Sequence, residues 1–496
     1  MRYLVGTETQ QAAGRSIVLS VPEALKKGVA LLTRDTFLIL LLAVTFVSGV
    51  FWAAVIPIWQ IPDEPAHYGY IQALGEDFSF LPPQDMLLSE DIRRVNDLTG
   101  LGAVPFHNDV TQPFTAGSRQ GPQEEEVREL PRSPRVQDIV SSSNPAASYP
   151  SGYYFPASLI YRLLGSQDVL TIMFGLRIFS AFLTTVTMLF SYLTLKRFFP
   201  DESAAKATAL VIALSPMYIY MGMAVNVDVL VWLFFSIYLY LLTRAFTDGL
   251  SMRLNLLLAL TVALGLWVKQ TFLVTIPFYL ILLAFLNLRG MLTPARSLVP
   301  LAIFFVTIAA LDGWLYLGGD FIRTSATYGG GGETKERSVV GFIQHFRDHW
   351  PRYRWTFDTF WGNFGWLDTP LSQRSYDFLR WGSAVATAGL VLYFITSTIR
   401  RKLDVLPLFY LALSVMFIAS FTLVNYINIT NGGDWLLQGR YFFPIIVPII
   451  ALQMRGLTWF VQVRPLREAV LIALVVGIVL FHVDVLFRYV LPRYYL

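Results

Sequence analysis

The sequence contains no cysteine. Disulfides, thiolate metal sites and a cysteine nucleophile are therefore excluded. Charge is scarce too: Asp, Glu, Lys and Arg make up 15% of the 496 residues, against about 25% in soluble domains. No P-loop, dinucleotide fingerprint or HExxH helix is present, so a cytoplasmic ATPase or nucleotide-sugar site is not indicated. The net charge of +4 is spread over short loops and leaves no basic footprint for nucleic acid. The first apolar run is too long for a signal peptide, and no alanine-rich cleavage site follows it, so none is expected.

What the chain has in abundance is apolar sequence. Hydrophobic residues reach 55% and come in repeated runs long enough to cross a bilayer of about 30 Å as helix. The pattern predicts an all-α polytopic membrane protein with about eleven spans, near 36–58, 169–195, 206–223, 228–245, 254–268, 271–288, 297–317, 381–399, 404–424, 441–461 and 467–487. With a cytoplasmic tail at 1–35, the inner loops hold Lys196, Arg197 and Lys206, then Arg244 and Arg253, Arg289 and Arg296, Arg400 to Lys402, and Arg464 and Arg467. That follows the positive-inside rule. The N-terminus is then expected in the cytoplasm and the C-terminus outside. A first transmembrane module would cover 36–317, and a second 381–496.

Two long loops fall on the outer side. The first, 60–167, has helical apolar spacing at 86–98, an irregular Pro-, Ser-, Gln- and Glu-rich stretch at 104–148, and an apolar stretch ending near Leu164 that is too short to span. The two apolar stretches read as interfacial or re-entrant helices. The second, 318–380, contains four consecutive glycines at Gly329 to Gly332, whose large backbone entropy suits a lid.

Chemistry concentrates at Pro62-Asp63-Glu64-Pro65-Ala66-His67-Tyr68, directly after the first span. Acidic groups at that depth are costly unless they have a task or a partner. Asp63 and Glu64 are the catalytic candidates, as a general base alone or with an orienting or metal-binding carboxylate, and Asp63 is favoured as the base. The bland alternative is a solvated helix end. His67 is a candidate to orient a carboxylate, bind phosphate or cap the turn. Arg177, Lys269 and Arg440 all fall on the outer side and are candidates for a lipid phosphate, with interfacial snorkelling as the competing explanation. Asn226 and Asp228 occupy the short outer turn between the third and fourth spans. Asp434, beside Trp435, is a candidate sugar contact. Asp312 has no evident partner, and His482 and Asp484 read as structural.

Several segments, in order, resemble those of polyprenyl-phosphate-dependent glycosyltransferases of the GT-C fold, in the bacterial branch related to protein mannosyltransferases and aminoarabinose transferases. They are Asp63-Glu64 after the first span, Tyr149-Pro150 to Tyr153-Tyr154, Leu176 to Ala181, Ala213 to Pro216 with Asn226-Val227-Asp228, Gly265 to Gln270, and Gly439-Arg440-Tyr441. Gly365-Trp366-Leu367-Asp368-Thr369-Pro370, with the acidic motif, is most similar to a little-characterised bacterial subgroup. The resemblance implies a GT-C-like bundle in the bacterial inner membrane with an outward-facing site. A sugar would move from a polyprenyl-phosphate donor to an acceptor hydroxyl on a lipid-linked or cell-envelope glycan. Asp63 would be the base of an inverting transfer, and Arg440, with Lys269 or Arg177, would stabilise the leaving phosphate. Tyr154, Trp366 and Asp368 join His67, Asn226, Asp228 and Asp434 as substrate-binding candidates. The basic residue that precedes Pro-Pro in the family is replaced here by Tyr149-Pro150-Ser151-Gly152, so phosphate binding would rest on other cations. Some GT-C enzymes require Mg or Mn and others do not, which leaves Asp63 and Glu64 open as metal ligands. A transporter or flippase of a lipid-linked saccharide is the reading from another class, and a polysaccharide polymerase or ligase is a third. Transporters tend to carry internal repeats and broken helices, and the sequence shows no convincing repeat.

Overall fold

The computed structural model describes residues 35–80, 88–101, 120–130, 144–317, 338–402, 404–433 and 435–495. Met1–Leu40 and Leu41–Leu496 separate as two units, and of the first only residues 35–40 are described. The N-terminal tail, most of the 104–148 stretch, the four-glycine run and Asp434 lie outside the described residues.

The first span is α1 (Thr36–Val55). Pro57, Pro62 and Pro65 then forbid a continuous helix, and the chain turns before α2 (Glu64–Asp77). The first long loop adds α3 (Glu90–Thr99), α4 (Gln120–Glu129), a 3-10 turn at Pro145–Ser148 and α5 (Tyr154–Leu163). α3 and α5 match the two short helices expected there. α4 is a departure, because it is helical within the stretch read as irregular. Its Gln- and Glu-rich composition favours helix once Pro122 sits in the first turn.

The bundle continues with α6 (Val169–Phe198), α7 (Glu202–Ala213), α8 (Pro216–Gly222), α9 (Asp228–Asp248), α10 (Met252–Leu266), α11 (Thr275–Leu288) and α12 (Pro294–Leu317). The second long loop holds α13 (Val339–Asp348), α14 (Trp350–Trp361) and a two-residue antiparallel pair, β1 (Asn363–Phe364) with β2 (Thr369–Pro370), in the register Asn363 to Pro370. α15 (Gln373–Ile399), α16 (Val405–Thr430), α17 (Ile446–Trp459), α18 (Arg464–Val485) and α19 (Leu491–Tyr495) complete the chain.

Among the described residues nine helices are long and apolar enough to span a membrane, or ten if α7 and α8 count as one span bent by 60°. The expected eleven all correspond to helices, but two differ in kind. Residues 206–223 form the bent pair, because Pro216 places Ser215 in an extended conformation. α10, with 15 residues, falls short of the roughly 20 that cross a bilayer.

Helix starts leave backbone donors without an intrahelical partner. Asp168, Asp201, Ser251, Ser372 and Asp404 each accept a backbone N–H of the helix they open, a cap worth about 1 kcal/mol apiece. α15 and α17 approach through small residues: a Cβ on Gly389 would lie 2.2 Å from the Gly456 carbonyl oxygen. Such close contact drives helix association where no hydrophobic effect operates.

Candidate active site

The turn after α1 leaves Asp63 with φ +72°, a left-handed conformation that Asp tolerates better than most residues. α2 starts at the next residue, and the first helical bond runs from the His67 N–H to the Asp63 carbonyl, 3.1 Å. Asp63 and His67 therefore lie one helical turn apart on one face. The Asp63 carboxylate accepts a 2.6 Å bond from Arg440 Nη2. Arg440 is 4% exposed at its side chain, whereas 38% of the Asp63 side chain is reachable. Asp63 is thus partly open within a charged setting. Burial pushes its pKa upward, but Arg440, His67 and Lys269 outweigh burial and hold it below the usual carboxylate value.

Arg440 sits in the 3-10 turn Gly439–Ile445 that leads into α17. The Gly439 N–H donates to Thr359 Oγ1 at 2.8 Å, and a Cβ on Gly439 would fall 2.0 Å from the Phe360 nitrogen. Glycine here lets the arginine-bearing turn lie directly on α14. Among the described residues Arg440 Nε and Nη1 have no hydrogen-bond partner although both are buried. Buried donors without acceptors are rare and call for an explanation.

A second ion pair stands beside the first. Lys269 Nζ donates to Asp228 Oδ1 at 2.6 Å, and Asn226 Oδ1 accepts the Asp228 N–H at 2.9 Å, shaping the start of α9. The Lys269 ammonium lies over the rings of Tyr149 and Tyr441, 5.0 and 5.6 Å from their centroids. The Arg440 guanidinium covers the Tyr441 ring at 5.3 Å. His67 stacks against Tyr149 and Tyr154, and its Nδ1 is 2.7 Å from the Tyr154 hydroxyl. Tyr154 stacks in turn on Tyr70 at 3.8 Å. Burial lowers the His67 pKa to about 4, so the ring is neutral at pH 7. The site is a tetrad of two carboxylates and two cations walled by tyrosines.

Glu64 and Arg177 depart from their sequence reading. Glu64 is fully buried and receives Arg177 Nε at 2.9 Å, Arg177 Nη2 at 2.6 Å and the Val225 N–H at 3.2 Å. Arg177 spends its remaining donors on the carbonyls of Ala53, Ile56 and Pro57. All five of its N–H groups are engaged, so none is left for a phosphate. Both carboxylate oxygens of Glu64 face Arg177, so Glu64 does not form a chelating pair with Asp63. The residues present do not fit a metal held by those two carboxylates. Among the described residues no three carboxylates or imidazoles converge in a metal-binding group.

Trp366 and Asp368 also lie elsewhere than expected. Trp366 Nε1 donates to the Trp59 carbonyl at 2.9 Å, and Asp368 pairs with Arg493 of α19. Both side chains are buried, Trp366 against the run-in to the acidic motif and Asp368 against α19. His482 accepts from Trp52 Nε1 at 2.8 Å, and its Nδ1 lies 2.9 Å from the Leu214 carbonyl oxygen; Asp484 pairs with Arg488 at 2.8 Å. Asp312 is buried in α12. The part played by Tyr70 was missed in the sequence, where its only signal is helical spacing from His67.

In fold the chain is similar to ArnT from Cupriavidus metallidurans bound to undecaprenyl phosphate, at 13% identity and a TM-score of 0.45, covering 94% of this chain and 74% of that one. It is also similar to the Archaeoglobus fulgidus oligosaccharyltransferase in the apo form, at 13% identity and a TM-score of 0.46, covering 93% of this chain and 55% of that one. No curated protein sequence matches this chain. Residues 46–449 match the family described as "Predicted membrane protein (DUF2142)", more than half of the sequence, and the chain belongs to that family.

Proposed function

We propose that this protein is an integral-membrane glycosyltransferase that moves a sugar from a polyprenyl-phosphate donor to an acceptor hydroxyl, with inversion. The carrying observation is Arg440, buried with two unmet donors beside a half-open Asp63. An anionic group entering the opening would satisfy Nε and Nη1. A phosphate at that point is one bond from the anomeric carbon that reacts.

In this reading Asp63 takes the proton of the acceptor hydroxyl as its oxygen attacks the anomeric carbon. The bond from that carbon to the phosphate oxygen breaks on the opposite side, and the charge that develops there meets Arg440 and Lys269. Both cations are already in place, so little reorganisation accompanies the reaction. Neutral His67, held by Tyr154, offers a hydrogen bond to the sugar or the phosphate without adding charge. Asp228 and Asn226 fix Lys269. Glu64 and Arg177 take no part in the chemistry and hold the turn. The acceptor belongs to a lipid-linked or cell-envelope glycan. The basic loops support an outward-facing site in the bacterial plasma membrane, with the N-terminus inside.

One observation favours a transporter or flippase instead. The bent α7–α8 pair is a broken helix, a feature of transporter folds, and the turn after it donates the Val225 N–H to Glu64. A donor assay decides. Purified protein, wild type and Asp63→Asn, is incubated with a panel of radiolabelled polyprenyl-phosphate sugars and host membrane extract. Label moving to a new acceptor with wild type, and at least about 10²-fold more slowly with Asp63→Asn, supports the transferase. Equal transfer by both removes Asp63 from its role. No transfer from any donor, with saturable lipid-saccharide binding by both, moves the assignment to the flippase.

A further inference from the structure

The backbone between α1 and Asp63 makes few bonds of its own. Residues 56–63 include two left-handed non-glycine positions, Trp59 with φ +58° and Asp63 with φ +72°. Its local bonds, Gln60 N–H to Pro57 and Glu64 N–H to Ile61, are long at 3.3 and 3.4 Å. Such a segment would drift unless held from outside.

It is held by side chains from remote parts of the chain. Arg177, on α6, caps the end of α1 through the carbonyls of Ala53, Ile56 and Pro57. The Tyr495 hydroxyl takes the Val55 carbonyl at 2.6 Å. Trp366 Nε1, from the turn of the second outer loop, takes the Trp59 carbonyl. The Tyr220 hydroxyl, on α8, takes the Gln60 carbonyl at 2.7 Å and lies 3.2 Å from the Gly365 carbonyl. Donors from four distant places thus occupy the carbonyls of Ile56, Pro57, Trp59 and Gln60 ahead of the acidic motif, besides those of Ala53 and Val55, and none of the four bonds to the Asp63 carboxylate.

We infer that Trp366 and Tyr220, together with the Glu64–Arg177 pair, are positioning residues that fix the backbone of Asp63 and so its distance from Arg440 and Lys269. The inference rests on the transferase reading of Asp63. It gives the Gly365-Trp366-Leu367-Asp368 turn a task distinct from substrate contact: Asp368 is anchored by Arg493, and Trp366 passes that anchorage to the Trp59 carbonyl. The second outer loop therefore reaches the base through backbone hydrogen bonds. A misplacement of about 1 Å is enough to slow a reaction about 100-fold, so each donor is expected to matter for rate and little for substrate binding.

The test uses single-donor deletions that keep the ring. Full-length Trp366→Phe and Tyr220→Phe are compared with Tyr410→Phe, which deletes an equally buried hydroxyl bonded to Thr243 at 2.8 Å far from this turn. The expected result is a fall in kcat of about tenfold for the first two, with donor KM within about twofold of wild type, and wild-type kcat for Tyr410→Phe. Wild-type kcat in both Trp366→Phe and Tyr220→Phe overturns the inference. If wild type transfers nothing, the transferase reading fails separately, and a second readout decides the positioning. The natural chain has no cysteine, so Asp63→Cys carries a single thiol at position 63. Adding Trp366→Phe or Tyr220→Phe is expected to change its alkylation rate by at least about threefold, and an unchanged rate overturns the inference.

Discussion

Asp63 and Glu64 are neighbours in sequence and opposites in surroundings. Glu64 is wholly buried, and its oxygens receive a guanidinium and a backbone N–H. Its partner Arg177 has no donor to spare. Asp63 is half-open, and its partner Arg440 keeps two buried donors unmet. A satisfied pair is a finished structural object. An unsatisfied one keeps donors that call for an explanation. The same chemistry, carboxylate against guanidinium, is thus closed at one residue and left with buried donors unmet at the next.

The largest expected effect breaks the closed pair. Arg177→Met leaves Glu64 buried and unpaired, which is expected to destabilise the fold by about 3–5 kcal/mol, read from unfolding midpoints in detergent. A loss below about 1 kcal/mol would make the two pairs equivalent. Arg440→Lys is expected to leave the midpoint nearly unchanged and to lower transfer about 10²-fold, because an ammonium cannot present the guanidinium fork. If stability falls and rate does not, the contrast is reversed.

The smallest effect is on pH. His67 has a folded pKa of about 4, against 6.5 for an ordinary imidazole. Between those values the unfolded chain binds more protons than the folded one, so stability rises with pH through this window and is lost as pH falls from about 6.5 towards 4. The full contribution is at most about 3 kcal/mol. Asp63, Asp228, Lys269 and Arg440 surround His67, and the lowered pKa of Asp63 adds a loss in the same direction below its own unfolded value. His67→Asn should flatten the dependence of the unfolding midpoint between pH 4 and 6.5. An unaltered slope would show that another group titrates there.

Much of this was legible in the residues. Each expected span has a helix, because an apolar run is a local property and the bilayer length is a fixed ruler. Pro216 was visible, but whether it ends a helix or bends one depends on what packs around it. The residues Asp63, His67, Tyr154, Asp228, Lys269 and Arg440, singled out for their chemistry near the outer helix ends, come together in one place. Which carboxylate meets which arginine was not legible. Arg177 is 113 residues from Glu64, and Arg440 is 377 from Asp63.

By itself, then, the sequence determined the solvent of this protein, the number of membrane-crossing helices among the described residues within one or two, and the kinds of charge placed near helix ends. Those follow from composition and periodicity, which are additive along the chain. Only the tertiary structure decided that Glu64 turns inward and Asp63 outward, that Arg177 is spent on Glu64 and backbone carbonyls, and that Trp366 bonds the Trp59 carbonyl ahead of Asp63. Those outcomes hang on a left-handed φ at Asp63 and on hydrogen bonds between distant segments, and such bonds exist only once the whole bundle has packed.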